Sequence, residues 1–176
     1  MRLIFLYSKF YKTMSDKIKG EVEEKEIVTA GSGRQEVLRI ALVAARSENK
    51  LVNALMRSAV GALMERQVGE SQMRVVWSPR IFQLPLLAQS MAQSREFDGI
   101  LVLGVSVKDE RTDGYYFENA EVMRALMDVM MSSTVPINHC LVMTENERDA
   151  AKIVNTKGED NLAARAATEL VDLLIH

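Results

Sequence analysis

Gly99-Ile100-Leu101-Val102-Leu103-Gly104-Val105 carries no charge and no hydroxyl. A short, wholly apolar run of this kind reads as a strand buried on both faces. Residues 37–44 (VLRIALVA) are mostly apolar and β-branched and read the same way upstream, and residues 73–77 form a shorter strand. Between these strands, Val52, Leu55, Met56, Ala59, Val60 and Leu63 recur at three- and four-residue steps. They make one apolar helical stripe, closed by Gly69. Leu84, Leu87, Ala88, Met91 and Ala92 mark a second amphipathic helix. Downstream, a third helix runs from about 118 to 131, and Pro136 opens a fourth strand over 137–143. Thr144-Glu145-Asn146-Glu147 has the spacing of a capping box and starts another helix. Leu162, Ala166, Leu170 and Leu173 stripe the last one. Strands alternate with helices over connections too long for hairpins, so parallel strands with right-handed helical crossovers are expected.

The third helix stands apart. Val122, Met123, Leu126, Met127, Val129, Met130 and Met131 cover more than one face. A helix apolar over so wide an arc is buried on more than one side, and in a four-stranded domain this predicts a subunit interface. A thick core is the alternative. Methionines suit irregular contact surfaces in either case.

The 176 residues suit one compact domain, 48% apolar and 26% charged. A net charge of −2 gives no electrostatic case for nucleic acid or an anionic membrane. No apolar run approaches the ~20 residues of a membrane span. Cys140 stands alone, which excludes an intramolecular disulfide framework and fits a reducing compartment. With His139 and His176 it makes no metal-ligand pattern, so no metal is expected. The start of the chain is different. Residues 1–13 hold Arg2, Lys9, Lys12 and several aromatic and aliphatic residues but no acid. They read as an organellar targeting segment, with a mitochondrial matrix as destination, or as a tail of a cytoplasmic protein. Residues 17–26 are charge-dense, like a solvated linker. The expected division is a tail or linker over 1–34 and a domain over 35–176.

Three segments resemble one family, the 6,7-dimethyl-8-ribityllumazine synthases. The first runs from Ile40 through Arg46, Leu55 and Ala59 to Gly69. The second is Val75-Val76-Trp77-Ser78-Pro79-Arg80-Ile81-Phe82-Gln83-Leu84-Pro85, similar to the family's VVxVPGAFExP. The third is Phe97-Asp98-Gly99-Ile100-Leu101-Val102-Leu103-Gly104-Val105, similar to YDAVIALGVV. Weaker matches continue through Pro136, Thr144-Glu145-Asn146, Asp149-Ala150 and the last helix.

The resemblance implies a three-layer α/β/α fold of flavodoxin-like type with a four-stranded parallel sheet. It also implies pentamers, or shells of pentamers, with active sites between subunits. The family reaction condenses 5-amino-6-ribitylaminouracil with 3,4-dihydroxy-2-butanone 4-phosphate and uses no metal or cofactor. Positioning two substrates supplies much of its rate.

At the positions the resemblance assigns to chemistry, this chain departs from the family. Arg46-Ser47-Glu48 stands where the family has Arg-Phe-Asn, whose Phe stacks on the pyrimidine. Ser47 cannot stack, a loss of about 0.5–1.5 kcal/mol, and reads equally as a helix N-cap. Arg80-Ile81-Phe82-Gln83 replaces Gly-Ala-Phe-Glu, which binds the ribityl chain. Gln83 keeps hydrogen bonding without the carboxylate. Arg80 and Ile81 are expected to crowd the cleft, with Arg80 otherwise facing a neighbouring subunit or a new anionic ligand. Val105 and Val107 keep substrate-lining positions at the end of the third strand.

Lys108-Asp109-Glu110-Arg111-Thr112-Asp113-Gly114 replaces the family's RGETxHF, so Asp113 falls at the catalytic histidine. A carboxylate titrates near pH 4 and shuttles protons poorly at neutrality. Arg111 offsets in part the charge that Asp109 adds beside the phosphate. The other reading of this loop is a solvated charged surface. Ile153 stands at the phosphate-gripping arginine, a loss of about 1.5–3 kcal/mol, and His139 at a pocket-lining Phe.

The scaffold is kept while Phe, Glu, His and Arg are all replaced. The expectation is a non-catalytic family member, retained as a homo-oligomer, in a mixed ring with a paralogue or within a larger complex. A divergent active synthase and a flavin-like or pterin-like binding module are the two rivals.

Overall fold

The computed structural model describes residues 37–109 and 114–175. The chain divides into two units, Met1–Gln35 and Glu36–His176, and every described residue belongs to the second. The tail and targeting readings of residues 1–34 therefore lie outside the described residues.

Four strands form one parallel sheet: β1 (Ile40–Ala45), β2 (Met73–Ser78), β3 (Gly99–Val107) and β4 (Ile137–Thr144). Their order is β2-β1-β3-β4. Five helices alternate with them: α1 (Asn49–Glu65), α2 (Leu84–Ser94), α3 (Tyr115–Ser133), α4 (Glu147–Val154) and α5 (Leu162–Leu174). The side-chain alternation of β1 sorts the layers. Ile40, Leu42 and Ala44 pack with α1, α4 and α5, whereas Ala41, Val43 and Ala45 pack with α2 and α3. The expected three-layer α/β/α fold is the one observed. No helix among the described residues is long and apolar enough to cross a membrane.

Several boundaries differ from the sequence reading, each for a local reason. β1 begins at Ile40 rather than 37. The Arg39 amide donates to the Asp98 carboxylate at 2.7 Å, and the Leu38 carbonyl accepts from Gln72 Nε2 at 2.8 Å, so side chains replace a strand partner there. Helix α1 stops before Gly69, because Gln67 takes the left-handed conformation at φ 66°. Helix α3 starts at Tyr115, whose buried ring is anchored through its hydroxyl to the Ser106 and Thr144 carbonyls. The capping box does not form. Thr144 stays in β4, and Asn146 caps α4 by accepting from the Asp149 amide at 2.9 Å. In α5, Leu173 is exposed, and Ala163, Ala166, Ala167, Leu170 and Val171 face the core instead.

Helix α3 buries a single stripe within this chain, Tyr115, Asn119, Val122, Leu126 and Val129. Tyr116, Phe117, Met127 and Met131 face solvent. The burial on more than one side that its composition predicts is not completed among the described residues. Cys140 lies in the core, where burial pushes its thiol up to about 11.

One helix position works against stability. Gly61 sits inside α1, and among the described residues a Cβ there would meet no heavy atom within 4 Å. Gly61→Ala is expected to raise stability by about 0.5–1 kcal/mol. A urea titration should show a higher midpoint at unchanged slope; a lower midpoint would mean that the space over Gly61 is required by the fold.

Candidate functional site

The order β2-β1-β3-β4 sends the chain from β1 to one face of the sheet, through α1, and from β3 to the other, through α3. A crevice opens above the carboxyl ends of the strands where such a reversal occurs. Three segments end there: Arg46-Ser47-Glu48 after β1, Pro79 to Gln83 after β2, and Lys108-Asp109 after β3.

The first two segments are tied together at their bases. The Arg46 amide donates to the Ser78 carbonyl at 2.8 Å, and the Arg46 guanidinium lies over the Trp77 ring at 5.4 Å. Such a cation–π contact is worth about 0.5–1 kcal/mol at an exposed site. Ser78 is fully buried, and its hydroxyl donates to the Arg80 carbonyl at 2.6 Å. That bond sets the turn that presents Arg80.

Ser47 is not the N-cap that the sequence suggests. Glu48 occupies that position without a side-chain bond, and the Ser47 hydroxyl points across the crevice to the Val105 carbonyl at 3.4 Å. Burial, and then the Glu147 carboxylate, raise the Glu48 carboxyl above its ordinary value.

The β2–α2 turn corrects a second expectation. Ile81 does not crowd the cleft. Its side chain is buried against β3, where a Cβ added at Gly104 would lie 3.4 Å from Ile81 Cγ1 and 2.9 Å from Leu141 Cδ2. Gly104 and Ile81 therefore fit as a pair, the bare strand backbone making room for the larger side chain. Arg80 is exposed and has no ion-pair partner among the described residues. Phe82 is also exposed and, with Leu86, forms one wall of a groove of about 570 Å³ between α2 and α3. Gln83 Oε1 is buried without a hydrogen-bond partner among the described residues. An orphaned buried acceptor costs about 1–3 kcal/mol.

At the end of β3, Val105 is buried in the core and Val107 half-buried. Glu110, Arg111 and Asp113 lie outside the described residues. Beyond them the structure reveals a polar cluster that the sequence reading missed. Glu145 takes Lys108 Nζ at 2.9 Å and the Tyr116 hydroxyl, and these two bonds, the lysine's first, hold its carboxyl below the ordinary value. Lys108 also lies over the Tyr116 ring at 5.3 Å, and Tyr115 meets Tyr116 edge to face at 5.0 Å. Asn119, one turn on, donates to Ser106 Oγ at 3.1 Å. The signal in the sequence is a lone Asn in the buried stripe of α3, one turn after the Tyr115-Tyr116 pair.

The remaining two candidates are not brought to the crevice of their own chain. His139 lies in the middle of β4, paired with Val102, and is exposed on the α2/α3 side. Desolvation by its surroundings still lowers its imidazole from the ordinary value. Ile153 is half-buried in α4 and packs against the core on the other side of the sheet. Its neighbour Lys152 is exposed and bound to Asp149 at 2.8 Å.

Sheet order and layering define the domain as a parallel α/β protein with a crevice over the carboxyl ends of the strands. Among the described residues no group of His, Cys, Asp and Glu side chains is placed to hold a metal ion. The family model for 6,7-dimethyl-8-ribityllumazine synthase matches residues 37–175, and the chain belongs to that family.

Proposed function

We propose that this chain is a non-catalytic lumazine synthase-family protein that serves as a structural subunit of an oligomer or larger complex. One observation carries the reading: His139 and Ile153 sit away from the crevice of their own chain. A family-type site must then be completed by a neighbouring subunit. An identical neighbour brings an imidazole and an aliphatic side chain where stacking and phosphate binding need an aromatic ring and a guanidinium. Within the crevice, Ser47 offers a hydroxyl already turned to the Val105 carbonyl. Gln83 offers an amide in place of a carboxylate, and by the family resemblance of the sequence Asp113 replaces the proton-shuttling histidine. The exposed Tyr116, Phe117, Met127 and Met131 of α3 supply the apolar face an assembly would cover. The same proposal takes residues 35–176 as the assembling domain behind a tail or targeting segment, in the cytoplasm or an organellar matrix.

The test is a pair of measurements on the purified full chain. Native mass is expected to be a multiple of the subunit, as a pentamer, a shell of pentamers or a mixed ring with a paralogue. Mixed with 5-amino-6-ribitylaminouracil and 3,4-dihydroxy-2-butanone 4-phosphate, the protein is expected to leave the condensation at its uncatalysed rate. Acceleration would establish the rival reading, a divergent active synthase. A monomer would remove the structural-subunit reading. The orphaned Gln83 oxygen favours one further alternative, a module that binds a flavin-like or pterin-like ligand through a donor group. In that case such ligands raise the thermal midpoint, since binding to the native state alone must stabilise it.

A further inference from the structure

Away from the crevice, on the outer face of the α1/α5 layer, a groove of about 780 Å³ runs between α1, α5 and the turn that joins α4 to α5. Its rim is cationic. Arg57 comes from α1, Lys157 from the turn and Arg165 from α5, against one carboxylate in the lining, Glu65. Arg57 and Lys157 have no ion-pair partner among the described residues, and Arg165 meets Glu169 only at 3.6 Å. Ser58, Thr168 and Asn155 add hydrogen-bonding groups between the cations. This concentration of positive charge occurs in a chain whose net charge is −2.

The small residues of the lining supply an independent observation. They are Ala54, Gly61, Ala62 and Ala164, with Gly158 in the turn. Gly61 is the glycine inside α1 over which, among the described residues, a Cβ would meet nothing within 4 Å. Packing among the described residues does not require it, and glycine weakens a helix. Glycine at such a position lets something from outside approach the backbone closely. The space above it exceeds what a single oxyanion fills and lies within the size range of small-molecule sites. Several cations around one space suit a multiply charged oxyanion, with guanidinium groups matched to phosphate geometry.

We propose that this groove binds a phosphorylated small molecule, with Arg57, Lys157 and Arg165 holding the phosphate and the organic body lying over Gly61. The site is independent of the crevice and of whether the crevice is catalytic.

Thermal unfolding and calorimetric titration of the full chain test it, with inorganic phosphate and ribose 5-phosphate as probes and sodium chloride at matched ionic strength as control. Both probes are expected to raise the midpoint beyond the salt control, ribose 5-phosphate more. An Arg57→Gln/Lys157→Gln double variant is expected to bind at least tenfold more weakly, since each charge-assisted contact carries about a tenfold effect or more. Gly61→Leu, which places a side chain in open space and leaves every cation intact, should weaken ribose 5-phosphate more than phosphate. No shift beyond salt, or a shift unchanged in the double variant, overturns the proposal. Loss of the shift in Arg80→Gln instead would place the anion at the crevice and overturn it equally.

Discussion

Leu42→Ala is expected to cost the fold about 2–5 kcal/mol, the largest effect of any single substitution considered. Leu42 is fully buried in β1, between Val75 of β2 and Leu101 of β3, and its side chain enters the layer formed with α1 and α5. A residue held by a strand on each side and a helical layer above cannot be replaced by inward collapse, so the vacated volume stays as a cavity. That is the condition under which the cavity adds to the lost transfer energy. With typical domain stabilities of about 5–15 kcal/mol, the variant should lose a large share of the total. Urea unfolding followed by circular dichroism measures it. A loss below about 1 kcal/mol would mean that the α1 and α5 helices close over the gap, contrary to the packing described.

The second large effect concerns mass rather than stability. Met127→Glu with Met131→Glu is expected to convert the assembled protein to single subunits while leaving the subunit fold intact. Met127 is 53% and Met131 71% exposed in the isolated chain, so carboxylates there remain solvated and the core does not change. In an assembly that covers α3, the same carboxylates would be desolvated without partners, at several kcal/mol each. Sedimentation reads the mass and circular dichroism the fold. An unchanged mass would remove α3 from the interface and leave its methionines without the role proposed for them. The two variants separate cleanly: Leu42 acts on the fold of one chain, whereas the methionine pair acts only between chains.

Strand-forming runs at 37–44, 73–77, 99–105 and 137–143, separated by helical periodicity, carry the parallel α/β architecture by themselves. They do so because alternation of elements and connection lengths are local properties of the chain. Family membership was legible for the same reason, in ordered motifs around Ile40, Val75 and Gly99. So were the identities at the positions that the family resemblance assigns to chemistry: Ser47, Gln83, Asp113 and Ile153 are what they are in any conformation. Where those side chains go was decided by contacts distant in sequence. Ile81 turns into the core because Gly104 leaves space for it, and Ser47 turns to Val105 because β1 and β3 are neighbours in the sheet. Tyr115 begins α3 because Thr144 receives its hydroxyl. His139 and Ile153 fall on opposite sides of the sheet because α4 packs over the face of β4 that carries Cys140 and Val142, not the one that carries His139. None of these partners is near in the chain, so no periodicity or local propensity encodes the direction. Only the folded sheet, by bringing strand ends and layers together, sets which side chains share a site.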